Sequence, residues 1–296
     1  MNEQLPRQTV ALLDGDDDDR SILDRGLSFD LATIVDRRRA LKLIGLTGVS
    51  AGLVIACGPS VVGSAAPGSS ATAGTSARGS TSAASCDPIP EETAGPYPAD
   101  GSNGPDVLNQ SGVVRSDIRS SFGGSSGTAE GIPLTIKLAI QDQDDGCAPL
   151  SGAAVYLWHC DRDGNYSLYS QAAANQNYLR GVQAAGDDGV VTFTSIFPAC
   201  YSGRWPHIHF EVYPSLDKAT DQANKIATSQ IALPKDVCDT VYGTTGYEQS
   251  VSNLSRLSLQ TDNVFGDDGG ARELGTMTGS TSQGYVVELA VPVSTA

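Results

Sequence analysis

From residue 86 onward the apolar positions fall in short runs separated by clusters of Gly, Asp, Asn and Ser. The runs IPLTIKLAIQ, AAVYLWHC, VVTFTSIF, HIHFEVY, TSQIALP and GYVVELAVPV either alternate with polar residues or continue as β-branched and aromatic ones. That is the pattern of strands buried on one or both faces. Long helical periodicity is scarce, and Leu216 to Lys225 is the stretch that could form a short helix. About 210 residues suffice for one domain with a full core. The pattern predicts an all-β fold, a β-sandwich of mostly antiparallel strands whose chemistry is carried at strand ends and in the adjoining loops. No internal repeat is evident, and the Gly- and Ser-rich stretch from Asp100 to Glu130 reads as a mobile loop at a pocket mouth.

The amino-terminal third has a different character. Residues 1–36 form an acidic leader containing Asp14 and Asp16 to Asp19. In residues 37–57 an arginine cluster, Arg37 to Arg39, precedes the apolar run LIGLTGVSAGLVIA, which matches a twin-arginine export signal. That run is shorter than the about 20 residues a membrane span needs, so it reads as a signal rather than an anchor helix. Val54-Ile-Ala-Cys57 matches a lipobox, in which Cys57 would be acylated after cleavage; the alternative is an ordinary signal cut that discards Cys57. Residues 58–85 are rich in Gly, Ser, Ala and Thr and cannot bury enough surface to offset ordering entropy, so they read as a tether to the domain at 86–296. The expected location is therefore outside the cytoplasm, as a cell-surface lipoprotein or a periplasmic or extracellular protein, with membrane attachment through Cys57.

A net charge of −15 argues against a nucleic-acid partner and against a basic grip on anionic lipid. With Cys57 set aside, Cys86, Cys147, Cys160, Cys200 and Cys238 allow up to two disulfides, and spacing does not fix the pairing. No C-x-x-C pair supports a zinc site at these cysteines.

The chain contains three histidines, and two of them form the pair His207 and His209. In a strand, side chains two residues apart share a face, so two imidazoles about 6–7 Å apart along the backbone can aim at one point. That suits a metal ion, although a solvated polar strand face would read the same way. Tyr201 and Arg204 lie just upstream, and a second tyrosine, Tyr166, ends the turn Asp163-Gly-Asn-Tyr166. A phenol titrates near pH 10, but a trivalent cation stabilises its phenolate at neutral pH. Two phenolates with two imidazoles favour Fe(III), whereas Fe(II) oxygenases present two histidines and a carboxylate, for which Glu211 is the nearest candidate. Trp158 reads as core, and His159 as a hydrogen-bonded structural residue.

These residues resemble the intradiol ring-cleavage dioxygenases, in which a G-x-Y turn and a Y...R-x-x-H-x-H segment supply the metal ligands. Glu92-Thr-Ala-Gly95-Pro96-Tyr97 resembles that family's early T-E-G-P-Y/F segment, with Ala94 where a glutamate is usual. The resemblance covers roughly residues 86–290 and is strongest to a secreted bacterial branch. It implies a mononuclear non-haem Fe(III) held by Tyr166, Tyr201, His207 and His209, and catechol and O2 as substrates. It also implies that Tyr201 leaves the metal to act as general base, that Arg204 stabilises developing negative charge, and that Gln230 assists by hydrogen bonding. Tyr97 would wall the substrate pocket, and the ring would open between its hydroxyl-bearing carbons to a muconate-type product. A binding module of the same sandwich type, using the histidines for Zn or Cu without turnover, is the alternative; it has no need of Tyr166 and Tyr201 together with Arg204.

Overall fold

The computed structural model describes residues 86–296. The leader, the export signal, Cys57 and the tether lie outside the described residues. Each of the six apolar runs forms a strand, and three shorter strands join them. The first sheet is built around β1 (Pro133–Asp142), which buries Leu134, Ile136, Leu138 and Ile140 at alternate positions. β2 (Ala148–Pro149) and β5 (Val190–Ile196) pair antiparallel with one side of β1. β9 (Gly284–Val293) pairs with the other side in parallel, and β8 (Thr276–Ser280) closes that edge. The second sheet runs β4 (Arg180–Ala184), β3 (Ala154–Trp158), β6 (His207–Tyr213) and β7 (Ala227–Ala232), all antiparallel.

Between the sheets lies the main core, where Val155, Leu157, Ile208, Phe210 and Val212 of the second sheet meet Ile136, Phe193 and Val287 of the first. The opposite face of the second sheet is buried too. Tyr156, Trp158 and Tyr213 on that face pack with Val107, Leu108 and Val113 in a second apolar cluster. The loop from Asp100 to Glu130, expected to be mobile, thus covers this face; it is pinned by apolar anchors and by single bridges from Val114 to Val182 and Asp117 to Thr194. Burying both faces leaves β3 and β6 without an exposed residue, which an antiparallel sheet seldom requires.

Two short helices that the sequence pattern did not announce, α1 (Lys235–Tyr242) and α2 (Glu248–Leu254), follow β7 and add Cys238, Val241, Tyr242 and Leu254 to the core. The helix expected at Leu216 to Lys225 does not form. That stretch is a series of turns with one 3-10 turn at Gln222–Asn224, whose start is held by the Asp221 carboxylate accepting from Ala223 N–H. Cys86 and Cys147 form a disulfide, while Cys160, Cys200 and Cys238 are buried thiols, so the described cysteines make one bridge where two were allowed.

Candidate active site

β6 begins at His207, and its register with β3 sets His209 opposite Trp158. The odd-numbered residues of β6 point away from the main core, so both imidazoles enter the second buried layer. Trp158 stacks on the His209 ring at 4.9 Å and nearly parallel, fixing its plane. His207 Nδ1 donates to Trp205 O at 2.5 Å, which leaves Nε2 as a lone-pair donor, 3.0 Å from His209 Nε2.

Tyr166 reaches the same point from the loop after β3. Asp161 organises that loop by accepting from Asp163 N–H, Asn165 N–H and the Tyr178 hydroxyl. Gly164 has φ +87°, and a side chain there would meet Tyr201 Cβ at 3.4 Å. The turn therefore favours glycine for its left-handed backbone, while the second tyrosine packs close beside it. Tyr201 is held from below by α2, since Ser250 Oγ accepts from Cys200 N–H and Asn253 donates to Cys200 O.

The four side chains converge. Tyr201 Oη lies 3.2 Å from His207 Nε2, Tyr166 Oη lies 3.4 Å from that atom, and the two phenol oxygens are 3.5 Å apart. Nitrogen and oxygen ligands about 2.0–2.2 Å from one metal ion, at angles between a right angle and the tetrahedral one, lie about 2.8–3.6 Å from each other. The donor set fits one ion.

Electrostatics points the same way. Burial, and then the neighbouring Arg204, lower the pKa of His207 to about 3, and burial with His207 beside it pushes His209 well below the ordinary imidazole range. Both rings are neutral. Burial likewise pushes the Tyr166 phenol well above its ordinary value, so only a cation within reach would hold it as phenolate. His209 Nδ1 is buried without a hydrogen-bond partner.

Residues 103–224 match the family model described as Dioxygenase. A chlorocatechol 1,2-dioxygenase of Rhodococcus opacus is 41% identical over 59 residues, which is 20% of this chain and 23% of that protein. An intradiol ring-cleavage dioxygenase from Tetranychus urticae superposes with a TM-score of 0.55 at 25% identity, over 71% of this chain and 95% of that one. The chain is similar to the intradiol ring-cleavage dioxygenases in sequence and in fold. The match to the curated relative spans about a quarter of that protein's length, and residues 103–224, matched by the family model, contain all four converging residues.

Around this cluster the remaining candidates take defined places. Arg204 is buried; its Nη2 donates to Gln230 Oε1 at 2.7 Å and its Nε to Asp262 at 3.1 Å. Gln230 in turn donates to Thr93 O, which ties the Glu92 to Tyr97 segment to β7. Tyr97 lies 4.8 Å from the Tyr166 ring and 5.2 Å from that of Tyr169. Glu211 shares the histidines' face, but Tyr213 Oη and Lys225 Nζ occupy its carboxylate at 2.7 and 2.9 Å, turning it away from the centre. His159 satisfies both ring nitrogens, with Cys160 O and Ser195 Oγ, and bridges the two sheets. A surface depression of about 460 Å³ lined by Arg119, Thr128, Glu130, Pro133 and Ile196 contains none of these residues.

Sequence reasoning missed Asp262, Asp161 and Arg180. Asp161 had a signal, because an aspartate opening D-x-D-G before the tyrosine is an Asx-turn former. Asp262 and Arg180 had none.

Proposed function

We propose that this domain is an Fe(III) intradiol dioxygenase that opens catechol-type rings between the two hydroxyl-bearing carbons. The observation that carries the reading is the convergence of Tyr166 Oη, Tyr201 Oη, His207 Nε2 and His209 Nε2 in one buried cluster, within a chain similar to this family. A mononuclear iron held by these four residues would supply the Lewis acidity that keeps phenols ionised and draws in a catechol.

The chain's own residues do the rest. Tyr201 is partly buried whereas Tyr166 is fully buried, so Tyr201 is the more accessible of the two to an incoming substrate. Its Oη takes the proton of a catechol hydroxyl, acting as general base. Arg204, fixed in a dry environment, stabilises negative charge that develops on the substrate as the ring opens. Gln230 keeps the guanidinium in place, and Tyr97 walls the site beside Tyr166. With O2 as the oxidant and both its atoms entering the opened ring, the product is a muconate-type dicarboxylate.

Export of the folded domain, with membrane attachment through Cys57, is part of the same proposal. The arginine cluster, the short apolar run and the lipobox-like Cys57 support it, as does the Cys86–Cys147 disulfide, which suits an oxidising compartment.

The test is the visible spectrum of the iron-loaded protein, with and without catechol under anaerobic conditions, followed by admission of O2. A tyrosinate-to-iron band that shifts on adding catechol, then muconate absorbance once oxygen enters, is expected. Folded protein that stays colourless after iron loading would sink the reading.

A further inference from the structure

We infer that Asp262 is a positioning residue that sets the direction of the Arg204 guanidinium; this rests on the reading above, in which Arg204 faces the reacting ring. Asp262 stands just after the 3-10 turn Leu259–Thr261, far from the motif in sequence. Its carboxylate is fixed before it touches the arginine. Oδ1 accepts from Val264 N–H at 2.9 Å and from Phe265 N–H at 3.1 Å, and Oδ2 accepts from Trp205 N–H at 2.7 Å. Oδ2 then receives Arg204 Nε at 3.1 Å, and both side chains are at most 1% exposed.

Three backbone donors from two separate segments anchor the acid, so it is the rigid end of the pair and Arg204 is the end that is directed. With Nε on Asp262 and Nη2 on Gln230, two edges of the planar guanidinium are held and its orientation is set. An arginine side chain has many rotamers, and a clamp of this kind removes that freedom before substrate arrives. Charge stabilisation without reorganisation requires that order of events.

The same turn shapes the metal side of the site. Phe265, whose N–H is bound by Asp262, lies 5.9 Å under the Arg204 guanidinium and 6.5 Å from the His207 ring. Trp205, whose N–H Asp262 binds, is also the residue whose carbonyl takes His207 Nδ1–H. One carboxylate thus fixes Arg204 and the backbone that orients the first histidine.

The experiment is a double-mutant cycle in the iron-loaded full chain, using Asp262→Asn, Asp262→Glu, Arg204→Ala and the double variants. If Asp262 acts through Arg204, Asp262→Asn lowers kcat at least tenfold with KM changed less than threefold. Most of that loss then vanishes once Arg204→Ala is present, the remainder being what His207 loses through the Trp205 backbone. A second readout needs neither iron nor turnover: in the metal-free protein the Arg204 Nε–H should be a slowly exchanging resonance that becomes fast in Asp262→Asn. Multiplicative losses in the cycle, or unchanged exchange at Nε–H, would overturn the inference. So would failure of both Asp262 variants to fold, which makes the residue structural. If the unmodified protein does not turn over catechol, the functional reading fails, and the exchange measurement still decides whether Asp262 directs Arg204.

Discussion

Replacing Arg180 with methionine separates hydrogen bonding from charge burial at the joint between the Tyr166 loop and the Tyr97 segment. Arg180 is 1% exposed, and its donors reach Ser167 Oγ, Ser167 O, Pro98 O and Tyr156 Oη at 2.9 to 3.2 Å. Among the described residues no carboxylate forms an ion pair with it. Bonds from a charged donor are worth about 1.5–3 kcal/mol each, but desolvating an ion costs several kcal/mol, and removing the guanidinium releases both sums. The difference is set by the acceptors left behind. Pro98 O keeps its bond from the Tyr156 hydroxyl at 2.6 Å, and Ser167 Oγ keeps its bond to Tyr178 O at 2.8 Å. Ser167 O is stranded. One stranded buried carbonyl costs about 1–3 kcal/mol, which is the expected loss for Arg180→Met. Arg180→Ala adds a cavity and should lose about 3–5 kcal/mol. Urea unfolding of the metal-free protein with linear extrapolation reads both values. A methionine variant as stable as the parent would show that desolvation outweighs the bonds. A loss as large as that of the alanine variant would show that the carbonyl is not the controlling group, and either result refutes the reasoning.

Other outcomes follow from the same structure. Tyr201→Phe should lower catechol turnover by about 10²–10⁴-fold, the range for a lost proton acceptor, whereas Tyr166→Phe should weaken and shift the visible band of the iron-loaded protein, leaving the contribution of Tyr201. Glu273 is fully buried, neither of its carboxylate oxygens has a hydrogen-bond partner, and burial with Glu92 nearby raises its pKa from 4.5 to about 9. A carboxyl with a raised folded-state pKa adds no cost below pH 4.5 and destabilises progressively as pH rises toward 9. Glu273→Gln should therefore stabilise the protein by at least about 1 kcal/mol more at pH 9 than at pH 5, checked by urea unfolding at the two pH values. Cys147→Ser opens a loop closed across 61 residues and should cost about 2–4 kcal/mol, with the same loss in the parent on reduction.

The six long strands were legible because burial imposes a period of two and the turns carry Gly, Asp and Asn. The short strands β2, β4 and β8 were not, since each is held by its neighbours rather than by its own pattern; β4 reads RGVQA and is registered by β3 on one side and by the Val114 bridge on the other. The four converging donors were legible in two local motifs, H-x-H and D-x-D-G-x-Y. Their supports were not, because Asp262 meets Arg204 across 58 positions and Arg180 meets Pro98 across 82. Contacts of that kind are set by which loops cover the second sheet, and no local spacing records them.

The cover over the second sheet also explains why the chemistry sits where it does. HIHFEVY alternates, and an alternating strand ordinarily turns its polar face to water. Here the loops around Val107 and Tyr166 close over that face, so His207, His209 and Glu211 keep polar identities at positions with no water to satisfy them. Each must then find a partner or be held neutral. Glu211 takes Tyr213 and Lys225, and Gln230 on the neighbouring strand takes Arg204 and Thr93. The two imidazoles and two phenols point at one another, and His209 Nδ1 is left without a partner. Two imidazole nitrogens and two phenol oxygens turned toward one another in one buried layer form a donor set that a single cation can bind. The metal-free protein should accordingly gain stability on iron loading, in proportion to the logarithm of iron over its dissociation constant. Thermal unfolding across an iron titration measures that gain. It should disappear in a variant carrying both His207→Ala and His209→Ala, and a gain that persisted there would place the ion elsewhere.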